Sequence, residues 1–387
     1  MEKHFKELLG NGSFGNVVKC TKLGSEECYA IKIMNCSRAG QEEFERMKLI
    51  KDLDPDQNHL IKMFECFTFH RATCIVYELL DVSLFDSYKR VSSTRTHLCL
   101  IRHIAQQLLK ALKALKSIGV AHCDIKLDNI MFTDPDSVNV KLIDFGLAVE
   151  TKKLSTITDI QVPPFRAPEV ILGIPLDESV DMWALGVVLA CVYFGNYPFP
   201  SKTEYETIRA MVQIFESTGQ VELNNHVINL DEMIREHRDM FEDHDDDDHR
   251  AFIDLLKNML EVNPQNRIQP SQALEHDFIT MKHLAEKSKA VYAGKARKVM
   301  GKTPPSEAQV NPSASSSSIK CTLVCVKPFC YPMTQPLRPV HTGTNIRQAL
   351  FASVFRHVFC VHIQVIFADD EPSEHAISFP DIRWRLM

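Results

Sequence analysis

The block His122-Cys123-Asp124-Ile125-Lys126-Leu127-Asp128-Asn129, with Asp144-Phe145-Gly146 twenty residues past Asp124, narrows the choice of fold more than any other stretch. It sets a carboxylate, an ammonium two residues on and an amide five residues on ahead of a second carboxylate. Val140-Lys141-Leu142-Ile143, just before that second acid, alternates like a short buried strand. One acid can accept the proton of an attacking hydroxyl, the other acid and the amide can hold Mg²⁺, and a lysine can neutralise phosphate charge. Alone the block decides little, because Asp, Lys and Asn also crowd ordinary surface turns. The remaining parts of a phosphoryl-transfer site must lie upstream and downstream in the right order.

Upstream, Leu9-Gly10-Asn11-Gly12-Ser13-Phe14-Gly15-Asn16-Val17 carries three glycines at G-x-G-x-x-G spacing. That spacing also opens dinucleotide-binding folds, where a helix follows directly. Here Val17-Val18-Lys19-Cys20 runs on as a strand to a Gly24-Ser25 turn, and Cys28-Tyr29-Ala30-Ile31-Lys32-Ile33-Met34 reads as the next strand. The glycines Gly10, Gly12 and Gly15 thus sit in a hairpin able to fold over phosphates. Lys32, the only charge in its strand, is placed to touch them; the bland alternative is a lysine snorkelling from a strand edge. Residues 41–53 read as a helix, with Phe44, Met47, Leu49, Ile50 and Leu53 apolar among charges. It is expected to supply a carboxylate to Lys32: Glu45 first, Glu43 second, although the pattern over 47–53 also allows Arg46 at that position. Two further strands, 59–67 and 73–77, lead to Glu78-Leu79-Leu80-Asp81, a connection whose backbone at Glu78 and Leu80 can bond an adenine edge. Tyr77 closes the back of the slot, and Leu9, Val17, Ala30 and Met131 form its mostly apolar wall.

Downstream, residues 98–118 form a long amphipathic helix ended by Gly119, which delivers the chain to His122. Pro163-Pro164-Phe165-Arg166-Ala167-Pro168-Glu169 is a rigid turn suited to a peptide-binding shelf. Asp181 opens an apolar helix, and a buried Asp needs donors; the catalytic-loop backbone can supply them. Arg267 is a candidate to pair with Glu169 and staple the shelf to the base of the lobe. The acidic run 242–248 reads as a solvated loop, with a docking surface as the lesser reading.

In order, these residues resemble a eukaryotic protein kinase over residues 5–284. Phe64-Glu65-Cys66-Phe67, His122-Cys123-Asp124 and Ala167-Pro168-Glu169-Val170-Ile171-Leu172-Gly173 are similar to the homeodomain-interacting protein kinases, a branch shared with the dual-specificity Tyr-regulated kinases. The resemblance implies an α+β bilobal fold, with a small antiparallel-sheet lobe with one helix over residues 1–77 and a larger, mostly helical lobe over 78–284. It implies ATP and Mg²⁺ as cofactors and transfer to Ser/Thr of protein substrates, transcriptional regulators among them. Asp124 is then the base, Asn129 and Asp144 the metal ligands, and Lys32 and Lys126 the phosphate-neutralising lysines. A scaffold that binds nucleotide and partners without transfer is the alternative. Three departures stand out. Cys123 replaces the Arg that most kinases use to clasp a phosphorylated activation loop, Pro164-Phe165 stands where relatives carry paired tyrosines, and Leu127 replaces a common Pro.

Composition adds bounds. The 387 residues are 45% hydrophobic and 24% charged, with a formal net charge of -6, which speaks against non-specific nucleic-acid binding. The first residues lack the charged head and apolar run of a secretory signal, so the expected compartment is cytosol or, by family resemblance, nucleus. The 12 cysteines show no zinc spacing and read as reduced packing residues. Residues 285–387 read as a tail that is largely disordered or of unknown fold: 287–302 basic, a solvated linker or an import signal, and 303–318 rich in Pro and Ser. The apolar stretch 346–367 is broken by Arg347, Arg356, His357 and His362 and makes a poor membrane span.

Overall fold

Alternating strands come first in the chain: β1 Glu7–Gly12, β2 Gly15–Thr21, β3 Cys28–Met34, then helix α1 Ser37–Met47, then β4 Met63–Phe69 and β5 Ala72–Glu78. They form one antiparallel sheet in the order β1-β2-β3-β5-β4, with α1 packed on it. The computed structural model describes residues 7–12, 15–21, 27–69, 71–90, 96–154, 159–200, 202–213, 220–223, 226–229, 244–286 and 289–301, all within one compact unit.

The second lobe contains α2 Leu84–Arg90, α3 Leu98–Ser117, β6 Val120–Ala121, β7 Ile130–Phe132, β8 Val140–Leu142, β9 Val149–Glu150, α4 Thr151–Leu154, α5 Pro168–Leu172 and α6 Ser179–Phe194. It continues through α7 Glu204–Gln213, β10 Gln220–Leu223, β11 His226–Asn229, α8 Asp246–Met259, α9 Pro270–Glu275, α10 Asp277–Thr280 and α11 Ala290–Val299. Helix α6 is buried along its whole length, as expected of a helix apolar on every face. α3 packs beside it. His97 caps α3 by accepting the Cys99 N–H at 3.1 Å, and Gly119, at φ +66°, ends it. Two small ribbons, β6 with β9 and β7 with β8, hold the ends of the loops that carry Asp124 and Asp144. This is the expected bilobal α+β architecture.

Three expectations need correction. The helix expected over 41–53 starts earlier and stops at Met47, and Lys48–Ile50 continue as a 3₁₀ turn. The acidic run is not all solvated loop: Asp245 caps α8 by accepting the Asp248 N–H at 3.0 Å, and Asp248 is fully buried. Acids favour a helix start, and Asp248 is compensated inside by Arg102, by the Tyr292 hydroxyl at 2.6 Å and by His283 at 2.9 Å. Finally, the fold does not stop at Leu284. Within the basic stretch, α11 packs Tyr292, Ala293 and Ala296 against Cys99, Met281 and Leu284, so small and aromatic residues at helical spacing outweigh the lysines facing out. Residues 302–387 lie outside the described residues.

Among the described residues, no helix is long and apolar enough to cross a membrane. The eight described cysteines are all free, five of them buried.

Candidate active site

The loop after β6 is held from below by Asp181. This carboxylate, 3% exposed, accepts the N–H of His122 at 2.6 Å and of Cys123 at 2.9 Å, as expected from its place at the start of α6. With both amides fixed, Cys123 is driven to φ +66°, a left-handed conformation that a non-glycine residue keeps only when its surroundings over-determine it. His122 Nδ1 faces the Asp124 N–H at 3.2 Å and must accept from it, so Nε2 carries the proton and donates to the Ile143 carbonyl at 3.0 Å. His122 thereby ties the Asp124 loop to the strand end before Asp144, with its ring edge-on to buried Phe145 at 4.8 Å.

Asp124 itself is 8% exposed. Its Oδ2 accepts from Lys126 Nζ at 2.7 Å and from Asn129 Nδ2 at 2.8 Å; Asn129 Nδ2 also reaches the Asp124 carbonyl at 2.8 Å. Its Oδ1 is buried and has no hydrogen-bond partner. A buried carboxylate oxygen without a donor is costly.

Across the cleft, Lys32 on β3 reaches Glu43 Oε2 at 2.7 Å and Asp144 Oδ1 at 3.2 Å. The helix partner of Lys32 is therefore Glu43, not Glu45. Glu45 is half exposed and pairs with Lys48 at 2.6 Å on the outer face of α1. Burial works against the Lys32 charge, but Asp144 and Glu43 outweigh it and hold its pKa above the ordinary value. Burial likewise pushes Glu43 up, with Lys32 opposing. For Asp144 burial raises the pKa, but Lys32 and the Gly146 N–H outweigh it and leave the carboxyl below its usual range. Asp144 sits at φ +58°, its Oδ1 also taking the Gly146 N–H at 3.2 Å; a Cβ on Gly146 would come within 3.0 Å of that oxygen. Arg46, one turn beyond Glu43, donates to the Gly146 carbonyl.

The slot between the lobes follows from strand register. Val17 lies opposite Lys32, and Ala30 opposite Tyr77, which brings four of the expected residues onto neighbouring positions of one sheet. Gly12 pairs with Gly15, and at Gly15 a Cβ would fall 2.3 Å from the Ile33 carbonyl oxygen, so the hairpin can cross β3 only with glycine there. Leu9 occupies an irregularity between Leu8 and Gly10 and is largely exposed, while Met131 comes from β7 in the other lobe. In the connection, the Glu78 N–H bonds the Lys62 carbonyl at 3.0 Å and the Asp81 N–H bonds the Phe132 carbonyl at 2.9 Å. Between these anchors the Leu80 N–H takes no backbone partner. The Glu78 side chain is committed to Lys141 at 2.7 Å and to the Lys62 N–H at 2.7 Å, so only its carbonyl is suited to a ligand.

These groups fit a magnesium nucleotide. Leu80 offers a donor to a base edge, Lys32 a cation to phosphates, and Asp144 with Asn129 an acid and an amide to a metal. Among the described residues no three His, Cys, Asp or Glu side chains converge as a metal cage; Mg²⁺ ordinarily uses one or two carboxylates plus substrate phosphates.

The shelf is stapled as expected. Arg267 binds Glu169 in a bidentate pair at 2.5 and 2.9 Å, both side chains buried. Sequence reasoning missed Gln161. It is buried at φ +60°, its N–H bonds the Cys123 carbonyl at 3.0 Å, and its amide bridges the Val180 carbonyl at 2.8 Å and the Ala167 N–H at 2.9 Å. Gln161 thus links the catalytic loop, α6 and the shelf. A lone Gln between Ile160 and Val162, just before two prolines and in no readable strand or helix, carries no signal that separates it from a solvated one. Phe165, at the Pro-Phe departure, is buried edge-on to Tyr197 at 5.8 Å.

Residues 3–279 match the family model described as protein kinase domain. Homeodomain-interacting protein kinase 1 of Caenorhabditis elegans is 34% identical over 354 residues, covering 76% of this chain and 42% of that protein. Homeodomain-interacting protein kinase 2 of Mesocricetus auratus is 35% identical over 334 residues, covering 72% of this chain and 28% of that protein. The Serine/threonine-protein kinase ppk15 of Schizosaccharomyces pombe is 28% identical over 396 residues, covering 88% and 73%. The chain thus spans less than half the length of the homeodomain-interacting kinases it matches.

Proposed function

On the premise that this chain belongs to the protein kinase family, we propose that it is a catalytically competent Ser/Thr kinase that moves the γ-phosphate of ATP to hydroxyls of protein substrates. The observation that carries this reading is that Lys32, Glu43 and Asp144 are already joined while Lys126 and Asn129 hold Asp124 in the catalytic loop. Asp124 receives the proton of the substrate hydroxyl, while Lys126 and Asn129 hold its Oδ2 and fix the carboxylate plane. Asp144 and Asn129 would hold Mg²⁺, which would supply positive charge against that developing on the transferred group. Lys32, steadied by Glu43, anchors the phosphates, and the Gly10 to Gly15 hairpin covers them against water. Preference for Ser/Thr is supported by Lys126 two residues after the base, a family trait. The substrates inferred from the relatives' name are transcriptional regulators, with residence in nucleus or cytoplasm.

Cys123 and Phe165 favour one competing reading, a nucleotide-binding scaffold that does not transfer. The assay that separates the two follows labelled γ-phosphate to a basic protein and to a Ser/Thr-Pro peptide library, with Lys32→Arg as blank. Asp124→Asn is expected to lower transfer by about 10²–10⁴-fold, the usual share of a general base, while Mg-ATP still raises its melting temperature. A wild-type chain that binds Mg-ATP and transfers nothing makes the scaffold the right reading.

A further inference from the structure

Each oxygen of the Glu43 carboxylate meets a different strand. Oε2 takes the Lys32 ammonium from β3 at 2.7 Å, and Oε1 takes the Tyr77 hydroxyl from β5 at 3.1 Å. Glu43 is 4% exposed, so water does not replace either partner. We propose that Tyr77 is a positioning residue of the transfer reaction: acting through Glu43, it latches α1 to the sheet and presents Lys32 to phosphate with no phosphorylation of the segment between Asp144 and Ala167. This rests on the kinase reading above and goes beyond the back-wall role expected of Tyr77.

The register makes the latch possible. Lys32 pairs with Ile75 and Ala30 with Tyr77, so Lys32 and Tyr77 project from one face of the sheet, one pair of positions apart. A single carboxylate on α1 spans both. The phenol is a dependable donor: burial, then the carboxylates of Glu43 and Asp144, push its pKa well above the ordinary value and keep it protonated. From the other end of the site, Arg46 grips the Gly146 carbonyl, a second tie from α1 that also requires no phosphate. The loop side offers less to a phosphate, because Cys123 is a buried thiol where most kinases place a guanidinium. A phenylalanine at 77 would fill the same space and leave Oε1 bare. The hydroxyl, not the ring, is what acts.

The test uses the full chain, treated with phosphatase and shown by mass spectrometry to carry no phosphate. Transfer is compared for wild type, Tyr77→Phe, Glu43→Gln and the double variant, with kcat and KM for ATP measured separately and folding followed by melting. Tyr77→Phe is expected to lower kcat about tenfold, the rate equivalent of one charge-assisted hydrogen bond, with KM for ATP within about twofold. In the Glu43→Gln background the same change should alter kcat by less than about twofold, because the two residues act in series. The proposal is overturned if kcat of Tyr77→Phe matches wild type, if only KM rises, or if the loss is equally large without Glu43. Phosphatase-treated wild type that is inactive, but active once phosphorylated, overturns it too. Wild type inactive in both states overturns the kinase reading, and this proposal with it.

Discussion

Replacing Arg267 by Met tests how far the peptide shelf depends on one buried ion pair. The guanidinium is 1% exposed and makes four close contacts: Glu169 Oε1 at 2.5 Å, Glu169 Oε2 at 2.9 Å, the Ser179 carbonyl at 2.9 Å and the Glu261 carbonyl at 3.0 Å. It also lies 5.2 Å from the Trp183 ring centroid. Methionine keeps the packing and removes every donor, leaving a buried carboxylate without its cation. Breaking such a pair from one side costs about 3–5 kcal/mol. At about 2–4 °C per kcal/mol for a domain of this order, melting should fall by about 6–20 °C. Removing both charges as Glu169→Leu with Arg267→Met takes away the stranded carboxylate and should regain part of the loss. The Glu261 carbonyl stays unsatisfied, at about 1–3 kcal/mol, so recovery stops short of wild type. Urea and thermal unfolding of all four proteins give the coupling energy. A single variant within about 1 kcal/mol of wild type, or a double variant that loses the sum of the two singles, refutes the reasoning.

The corrected partner of Lys32 is tested by a pair of variants: Glu43→Gln should lower kcat by about 10²-fold, the scale of a misplaced reacting group, whereas Glu45→Gln should leave transfer and stability nearly unchanged. His59, half buried at φ +54°, is held down to about 4 by burial, then by Lys110, His103 and Lys141. Between pH 6.5 and 4 the unfolded chain takes a proton that the folded chain refuses, so stability is full above that window and falls by about 2–3 kcal/mol through it. His59→Asn, which tolerates the positive φ, should flatten that slope in urea titrations; an unchanged slope places the acid sensitivity elsewhere. Tyr292→Phe removes the 2.6 Å bond to buried Asp248 and should cost about 1.5–3 kcal/mol in thermal unfolding. Burial raises the Asp248 pKa, but His283, Arg102 and Tyr292 outweigh it and hold it below the usual carboxylate range. Its contribution is therefore present above about pH 4 and lost below, as pH falls through the folded value. In Tyr292→Phe the acid transition should begin at higher pH.

Beyond the catalytic block itself, what was most legible from the chain was a polar residue set in or next to an apolar element. Lys32 was the only charge in its strand, Asp181 the acid opening an apolar helix, and Arg267 lay just past another, and each was assigned its contact. Glu43 was not, because Glu42, Glu43, Glu45 and Arg46 crowd one turn and the choice rested on phase with Leu49 and Leu53. The α-helix ends at Met47 and tightens to 3₁₀ over Lys48–Ile50. At 3.0 instead of 3.6 residues per turn, residues beyond 47 no longer mark the inner face. Asp248 and α11 were missed for a related reason. Charge density reads as solvent exposure, and the groups that hydrogen-bond Asp248, namely Arg102, His283 and Tyr292, lie 146, 35 and 44 residues away. Gln161 likewise earns its place only through partners that the fold brings to it.

The hydrogen bond between Tyr77 and Glu43 also sets terms for inhibitor chemistry. A compound that threads past Tyr77 toward α1 must displace a phenol that is already donating to a buried carboxylate, and must replace that donor or strand the oxygen. Trimming Tyr77 to alanine to admit a bulkier compound would strand it as well, so in this chain an enlarged pocket and a fully bonded Glu43 carboxylate are not available together. Selectivity here is better sought in front of the ring, along Leu9, Val17 and the Leu80 amide, where a ligand adds contacts without breaking one.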